Sequence, residues 1–303
     1  MKTIKCKVKS PVAKVINESS GKCKRRADTC LDLIFCECIL ARGEAAEYCS
    51  KIPAWRRAFP STMLSALTRT VVRPDHALIA PDGYVPSVLP GWSGCTIHVQ
   101  ISAQLGARFA QWQVTLEKNG RGEGATFGHE FFIYVLAGSI QLGNEKIGPG
   151  GYAYLPPGTP YSVRGLVRTS RLLVFRKRYE PLAGVEAPSL IVGNEAGRPE
   201  APFLGDPQAR LKTLLPDEMG FDLAINIFTY DPGASLPFVE THIMEHGMVF
   251  LTGGGVYRLG DHWYPVQAGD ALWIAPYCPQ WFIAAGPGPA RYIYYKDVNR
   301  QPL

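Results

Sequence analysis

Residues 233–247 read G-A-S-L-P-F-V-E-T-H-I-M-E-H-G and hold the side chains of this chain best suited to chemistry. Glu240 and His242 are two apart, so on an extended strand they face the same side. His246 stands at a further even offset and returns to that side along a strand or after a tight hairpin. Gln280 follows a proline turn downstream. A carboxylate, two imidazoles and an amide oxygen therefore converge on one point, and together they make the donor set of a metal site. Imidazole suits first-row transition ions, and oxygen donors shift the preference toward harder ones. Four protein donors on a six-coordinate ion leave room for water or substrate, so the expected cofactor is one Mn2+ per chain, ahead of Fe2+ and then Zn2+. The simpler reading makes His242 and His246 ordinary polar residues of a half-buried strand. The three-residue spacing with Glu240, followed by G-M-V-F-L-T-G, favours the metal. By parity Glu245 faces outward and Cys278 points away from Gln280. His262, in G-D-H-W-Y, reads as a surface turn residue, and His76 as structural.

An internal repeat must position these groups. Residues 133–161 and 248–280 each run strand, glycine turn, strand, polar turn, glycine, strand, proline turn, with Gly138 matching Gly253, Gly150 matching Gly269 and Pro157 matching Pro276. Short alternating strands with glycine and proline punctuation point to an all-β sandwich or barrel. In the first copy the ligand positions fall on Ala125, Phe127 and Phe131, with Tyr161 opposite Gln280, and His129 stands at an odd offset. That copy keeps the barrel without the site, as a scaffold or dimer partner. The domain reading is a leader over 1–48, an N-terminal lobe over 49–194 that opens with an irregular entry segment to residue 69, a Pro/Gly-rich linker over 195–210, and a C-terminal lobe over 211–303. A short helical turn is expected over 209–216, A-R-L-K-T-L-L-P.

Composition narrows the partners. The chain has 303 residues and a net charge of +6, with 31 Gly and 25 Pro. Residues 1–51 hold eleven Lys/Arg against six Asp/Glu, and the remainder holds 21 against 20. The folded part is nearly neutral, which argues against nucleic acid as a partner. No stretch is long enough to span a membrane. Residues 31–41, after Lys24, Arg25 and Arg26, have the outline of a secretory signal, interrupted by Asp32 and Glu37. Six of the eight cysteines lie within the first 49 residues without a Cys-x-x-Cys pair, so they read as free thiols of a leader rather than zinc ligands.

The ligand order resembles a permuted bicupin. Glu240 stands at the first His of the usual cupin motif, His242 at the second, His246 at the Glu and Gln280 at the final His. This permutation is similar to the (S)-ureidoglycine aminohydrolase family. So are R-L-G-D-H-W-Y-P-V-Q-A-G-D at 258–270, A-P-Y-C-P-Q-W at 275–281 and R-Y-I-Y-Y-K-D-V-N-R-Q-P-L at 291–303. In the first lobe, D-H-A-L-I-A-P, Y-A-Y-L-P-P and L-V-F-R-K-R-Y-E fit as well, so the likeness covers roughly residues 70–303 and departs around residues 93–125.

The resemblance implies two tandem jelly-roll barrels, a homo-oligomer, and hydrolysis of (S)-ureidoglycine to (S)-ureidoglycolate and ammonia in allantoin and purine breakdown. It implies that His242 and His246 hold the metal, while Glu240 and Gln280 hold it and also reach the substrate. Tyr292 and Lys296, four apart and on one strand face, are implied at the substrate, with Tyr257 adding a hydrogen bond. Lys296 and Glu240 are then the groups for proton transfer or for pairing with the substrate carboxylate. Plant members carry an endoplasmic reticulum signal where residues 1–48 stand, which makes that compartment the expectation and the cytoplasm its alternative. Two rival functions remain at this point: a Mn- or Fe-dependent cupin oxidase or dioxygenase, and a bicupin that binds without catalysis.

Overall fold

The computed structural model describes residues 68–300. The leader, the entry segment up to residue 67 and the six N-terminal cysteines lie outside the described residues. The described residues lie within one compact unit, built from strands and a few single 3-10 turns. Among the described residues no helix is long and apolar enough to cross a membrane.

Two barrels share an internal wall. The N-terminal barrel is a ten-stranded sheet centred on the long strand Phe109–Ala125, which pairs with Trp92–Ile101, Pro160–Gly165 and Thr169–Arg178. The C-terminal barrel packs an eight-stranded sheet against a three-stranded one. The eight-stranded sheet places Ala290–Asp297 between His246–Thr252 and Leu223–Tyr230. The three-stranded sheet contains Gly254–Leu259, His262–Gln267 and Gln280–Ala284.

Alternate residues along the central strands feed different apolar layers. In Thr169–Arg178, Leu172 and Val174 enter the N-terminal barrel, while Leu173 and Phe175 enter the layer between barrels. In Ala290–Asp297, Tyr292 and Tyr294 fill the C-terminal barrel, and Ile293 and Tyr295 face the shared layer. Phe109 stacks on Tyr295 there, with ring centroids 4.1 Å apart. Strands buried on both faces explain the near-continuous apolar runs such as 131–136, which a strand with one wet face would not show.

The matched glycines work as turns. Gly138 and Gly253 have φ of 76° and 65°, and a Cβ on either would stand 2.5 Å from a carbonyl oxygen, of Thr169 or Pro289. Both reasons demand glycine.

Sheet membership departs from the sequence boundaries. His76–Ile79 pairs with Ala271–Ile274 and so belongs to the C-terminal sheet. Glu200–Phe203 and Asp206–Thr213 form a hairpin at the far edge of that same sheet, so most of the segment read as linker is strand. The helical turn expected over 209–216 is replaced by this strand, because Ala209 and Leu211 pair with Tyr230 and Phe228 and pack in the barrel core.

A buried polar cluster ties the lobes. Tyr154 Oη donates to Glu130 at 2.7 Å, and Lys177 Nζ pairs with Asp222 at 2.6 Å. Glu130 is fully buried, and burial, followed by the neighbouring Asp222, raises its pKa well above the carboxylate range. The folded chain therefore holds a proton there that the unfolded chain releases. This contribution to stability is complete below the ordinary carboxylate pKa and is lost as pH rises toward the raised value. Thermal melts between pH 5 and pH 9 should show wild-type Tm falling with pH and Glu130→Gln removing part of that fall, at up to about 1.4 kcal/mol per pH unit. Parallel profiles for the two proteins would refute the assignment.

Candidate functional site

Residues 233–247 enter the barrel mouth as an extended segment pinned to the opposite sheet. Glu240 exchanges both backbone hydrogen bonds with Gln280, N to O at 2.8 and 2.9 Å. This fixes Glu240 beside Gln280 even though only a single bridge joins them. His246 opens the strand His246–Thr252, where it lies between Lys296 and Ile274.

The two imidazoles meet tip to tip. His242 Nδ1 lies 3.1 Å from the Met244 carbonyl, and His246 Nδ1 lies 3.2 Å from the Tyr295 carbonyl. A carbonyl only accepts, so each Nδ1 holds its proton and each Nε2 presents a lone pair. These two Nε2 atoms are 3.2 Å apart, with ring planes at 90°. Burial lowers both histidine pKa values, that of His246 to about 3. Two neutral imidazoles that turn their lone pairs toward one point form a pair of nitrogen donors suited to a cation. Backbone carbonyls on the far nitrogens are the usual support of metal-ligating histidine.

Gln280 completes the cluster. Its Nε2 stands 3.1 Å from His242 Nε2, and its Oε1 accepts from Tyr257 Oη at 3.0 Å. A half-turn of the terminal amide exchanges these two atoms, so either can face the histidines. Glu240 is half-buried, and its pKa is raised by burial against the opposing charge of Lys296. Its side chain makes no hydrogen bond with either histidine among the described residues. The structure thus gathers His242, His246 and Gln280 tightly, with Glu240 held at the same mouth through its backbone. The donor set present fits a divalent ion.

Tyr257, Tyr292 and Tyr294 line the barrel beneath this cluster. Tyr292 and Tyr257 are buried, and burial raises both pKa values. Tyr292 Oη lies 3.3 Å from Tyr230 Oη. The Tyr294 ring sits edge-on to His246, centroids 5.4 Å apart. Lys296 is half-buried at the mouth.

Three features lie beyond what parity and spacing revealed. Asn226 faces this interior from the adjacent strand, opposite Tyr294 and two residues from the partner of Lys296. Its Nδ2 donates to Tyr294 Oη at 3.1 Å, while its buried Oδ1 has no partner among the described residues. An alternation reading of L-A-I-N-I-F-T-Y would have put Asn226 on the Phe228 face, which is the available signal. Second, Glu245 does not face outward. It is fully buried, accepting from Arg108 N at 3.0 Å and from Trp273 Nε1 at 3.3 Å. Third, Arg108, from the N-terminal lobe, spans from Glu245 at 3.3 Å to Asp297 at 2.8 Å. It thereby clamps the residues next to His246 and Lys296. A buried carboxylate answered from the other lobe leaves no trace in local periodicity.

Asp75, His76 and Cys278 also bring ligand-type atoms within 4.8 Å of one another. His76 spends both nitrogens at 2.8 Å, on Asp75 and Tyr264 Oη, which agrees with a structural role. His262 is exposed at the start of its strand. In the first barrel, register puts Gly124 rather than Ala125 opposite Tyr161. Phe127 is exposed at 76% with φ of 50°, so of the three aligned positions only Phe131 points inward.

The Cupin domain family matches residues 226–295. The chain is 40% identical over 245 residues to a probable (S)-ureidoglycine aminohydrolase of Oryza sativa subsp. japonica, covering 79% of this chain and 78% of that one. It is 38% identical to the (S)-ureidoglycine aminohydrolase of Arabidopsis thaliana, covering 79% and 81%. The crystal structure of the protein Ylba from E. coli superposes with a TM-score of 0.70 at 34% identity, over 79% of this chain and 98% of that one. 

Removing the clamp tests its part in the site. Arg108→Ala keeps the backbone N–H and the Trp273 donor to Glu245 and removes a half-exposed guanidinium paired with Glu245 and Asp297, so it should lower stability by about 0.5–1.5 kcal/mol in urea melts. Loss of less than about 0.5 kcal/mol, the scatter of ordinary surface substitutions, would mean that solvent replaces Arg108 without cost.

Proposed function

Since this chain belongs to the (S)-ureidoglycine aminohydrolase family, we propose that its C-terminal barrel hydrolyses (S)-ureidoglycine to (S)-ureidoglycolate and ammonia with a bound divalent ion. The observation that carries the metal is the pair of Nε2 lone pairs 3.2 Å apart, with both Nδ1 atoms committed to carbonyls. His242 and His246, with Gln280 and Glu240, would hold Mn2+, which when bound supplies Lewis-acid polarisation and a template for a polar substrate.

The remaining work falls to side chains. Lys296 offers an ammonium at the mouth for the substrate carboxylate, and Glu240, poised by burial, can exchange the proton that the departing amine takes with it. Water supplies the hydroxyl that replaces the amine on the same carbon, so the products are the hydroxy acid and ammonia. Tyr257 Oη orients Gln280, and Tyr292 and Tyr294 wall the reacting carbon from bulk water. Asn226 Oδ1, buried and unpaired, suits an N–H of the ureido group. Donors and acceptors fixed on separate strands would distinguish one stereoisomer.

Ammonia release from ureidoglycine, read against the spontaneous rate, should vanish on EDTA treatment and return with Mn2+. A rate that survives chelation and coincides with absence of bound metal would remove the ion from the reading, and no release above background would remove the activity. Lys296→Met should lower kcat/KM by about 100-fold or more, the range of a lost proton-transfer or charge-pairing group. Asn226→Leu should raise KM by about 3–10-fold with kcat little changed, the worth of one neutral hydrogen bond. An unchanged KM would deny Asn226 contact with substrate.

A further inference from the structure

We propose that the N-terminal barrel carries a second binding site, for a small monocarboxylate, at the mouth corresponding to the metal cluster of the other barrel. The correspondence is one of register. Phe131 lies between Arg176 and Leu155 as His246 lies between Lys296 and Ile274. Where the second barrel gathers neutral donors, the first provides a fixed cation.

Arg176 shares the inward face of its strand with Leu172 and Val174, which fill this barrel. Its Cζ lies 5.8 Å from the centre of the Phe131 ring, and its Nη2 lies 3.2 Å from both nitrogens of His129. Burial and the charges of Arg176 and Arg178 lower the pKa of His129, so His129 adds no second charge at neutral pH. Among the described residues no carboxylate pairs with Arg176, and its buried Nε has no acceptor.

A second buried donor lies on the same inner face. Trp112 is 5% exposed, and its indole Nε1–H is buried without a partner among the described residues. Trp112 lies directly opposite Val174, so it and Arg176 are diagonal neighbours on one inner face. Aromatic rings close the sides: Phe131 stands 6.0 Å from Trp112 and 5.5 Å from Tyr161. The Tyr161 ring also takes the space above Gly124, opposite which no carboxylate stands.

Buried donors without acceptors are rare in folded proteins, and two of them on diagonal neighbours, the Arg176 Nε–H and the Trp112 indole N–H, fit an anion with two acceptor atoms. A carboxylate offers one oxygen to the Arg176 Nε–H and the other to the indole N–H. A phosphate dianion would bring more charge than one guanidinium offsets between aromatic walls.

Isothermal titration calorimetry with glycolate on the full chain tests this. Binding should persist in Lys296→Met, weaken a few-fold in Trp112→Phe, and weaken at least tenfold in Arg176→Gln. Should Arg176→Gln fold poorly, Arg176→Lys keeps the charge and removes the Nε–H geometry, and it should weaken binding at near-native Tm. Equal affinity in wild type and the Arg176 variants overturns the proposal. So does loss of binding in Lys296→Met alone, and so does the lack of any saturable heat by about 50 mM glycolate, roughly fifty times a millimolar Kd. None of these readouts uses ammonia release, so failure here and failure of the hydrolase reading are separately visible.

Discussion

The register of Ala290–Asp297 is the constraint on which the rest depends. This strand separates two apolar layers, with Tyr292, Tyr294 and Lys296 on the barrel face and Ile293, Tyr295 and Asp297 on the other. A slip by one residue would exchange the two sets completely. Such a slip is opposed from both sides, by Phe109 stacked on Tyr295 and by nine-tenths or greater burial of every aromatic on the strand. The same strand supplies the Tyr295 carbonyl that fixes the His246 tautomer. Packing between lobes and lone-pair direction at the candidate metal site are thus set by one piece of backbone.

Much of the site was legible because it is local. Glu240, His242 and His246 lie within seven residues, and Gln280 follows a recognisable proline turn. The repeat and the glycines at 138 and 253 were equally readable, since turn chemistry is written in single residues. What escaped is long-range. Glu245 was assigned outward by parity, but parity says nothing of a side whose far wall is another lobe: Arg108 and Trp273 make it a buried face. The helical turn over 209–216 failed for a similar reason, because pairing with Leu223–Tyr230 overrides weak local preference. Asn226 was overlooked as one polar residue in an apolar strand, and its meaning depends on Tyr294 and Lys296 beside it.

The two barrels place different side chains at corresponding register positions. At the same register position, one places an imidazole with a bare lone pair and the other a phenyl ring under a guanidinium. A lysine faces the first and an arginine the second. Phe131 in place of His246 removes an imidazole, and Arg176 stands opposite it as Lys296 stands opposite His246. The rest of the fold needs no change for this, because these residues project from strand ends into the barrel mouth while Leu172, Val174 and their counterparts hold the core.

The strand His76–Ile79 belongs to the sheet that Ala271–Ile274 completes, and this orders events during synthesis. A ribosome releases residues 76–79 long before residue 271 exists, so this strand waits as an unpaired edge while the whole first barrel emerges. Contacts so distant in sequence are slow to form, and waiting edges invite pairing with other chains. The short length of the strand and the buried His76, which finds its partners Asp75 locally and Tyr264 only late, limit that hazard. The sheet of the C-terminal barrel thus draws on one of the earliest described strands, and residues 211–303 alone would leave Ala271–Ile274 without its neighbour on that side.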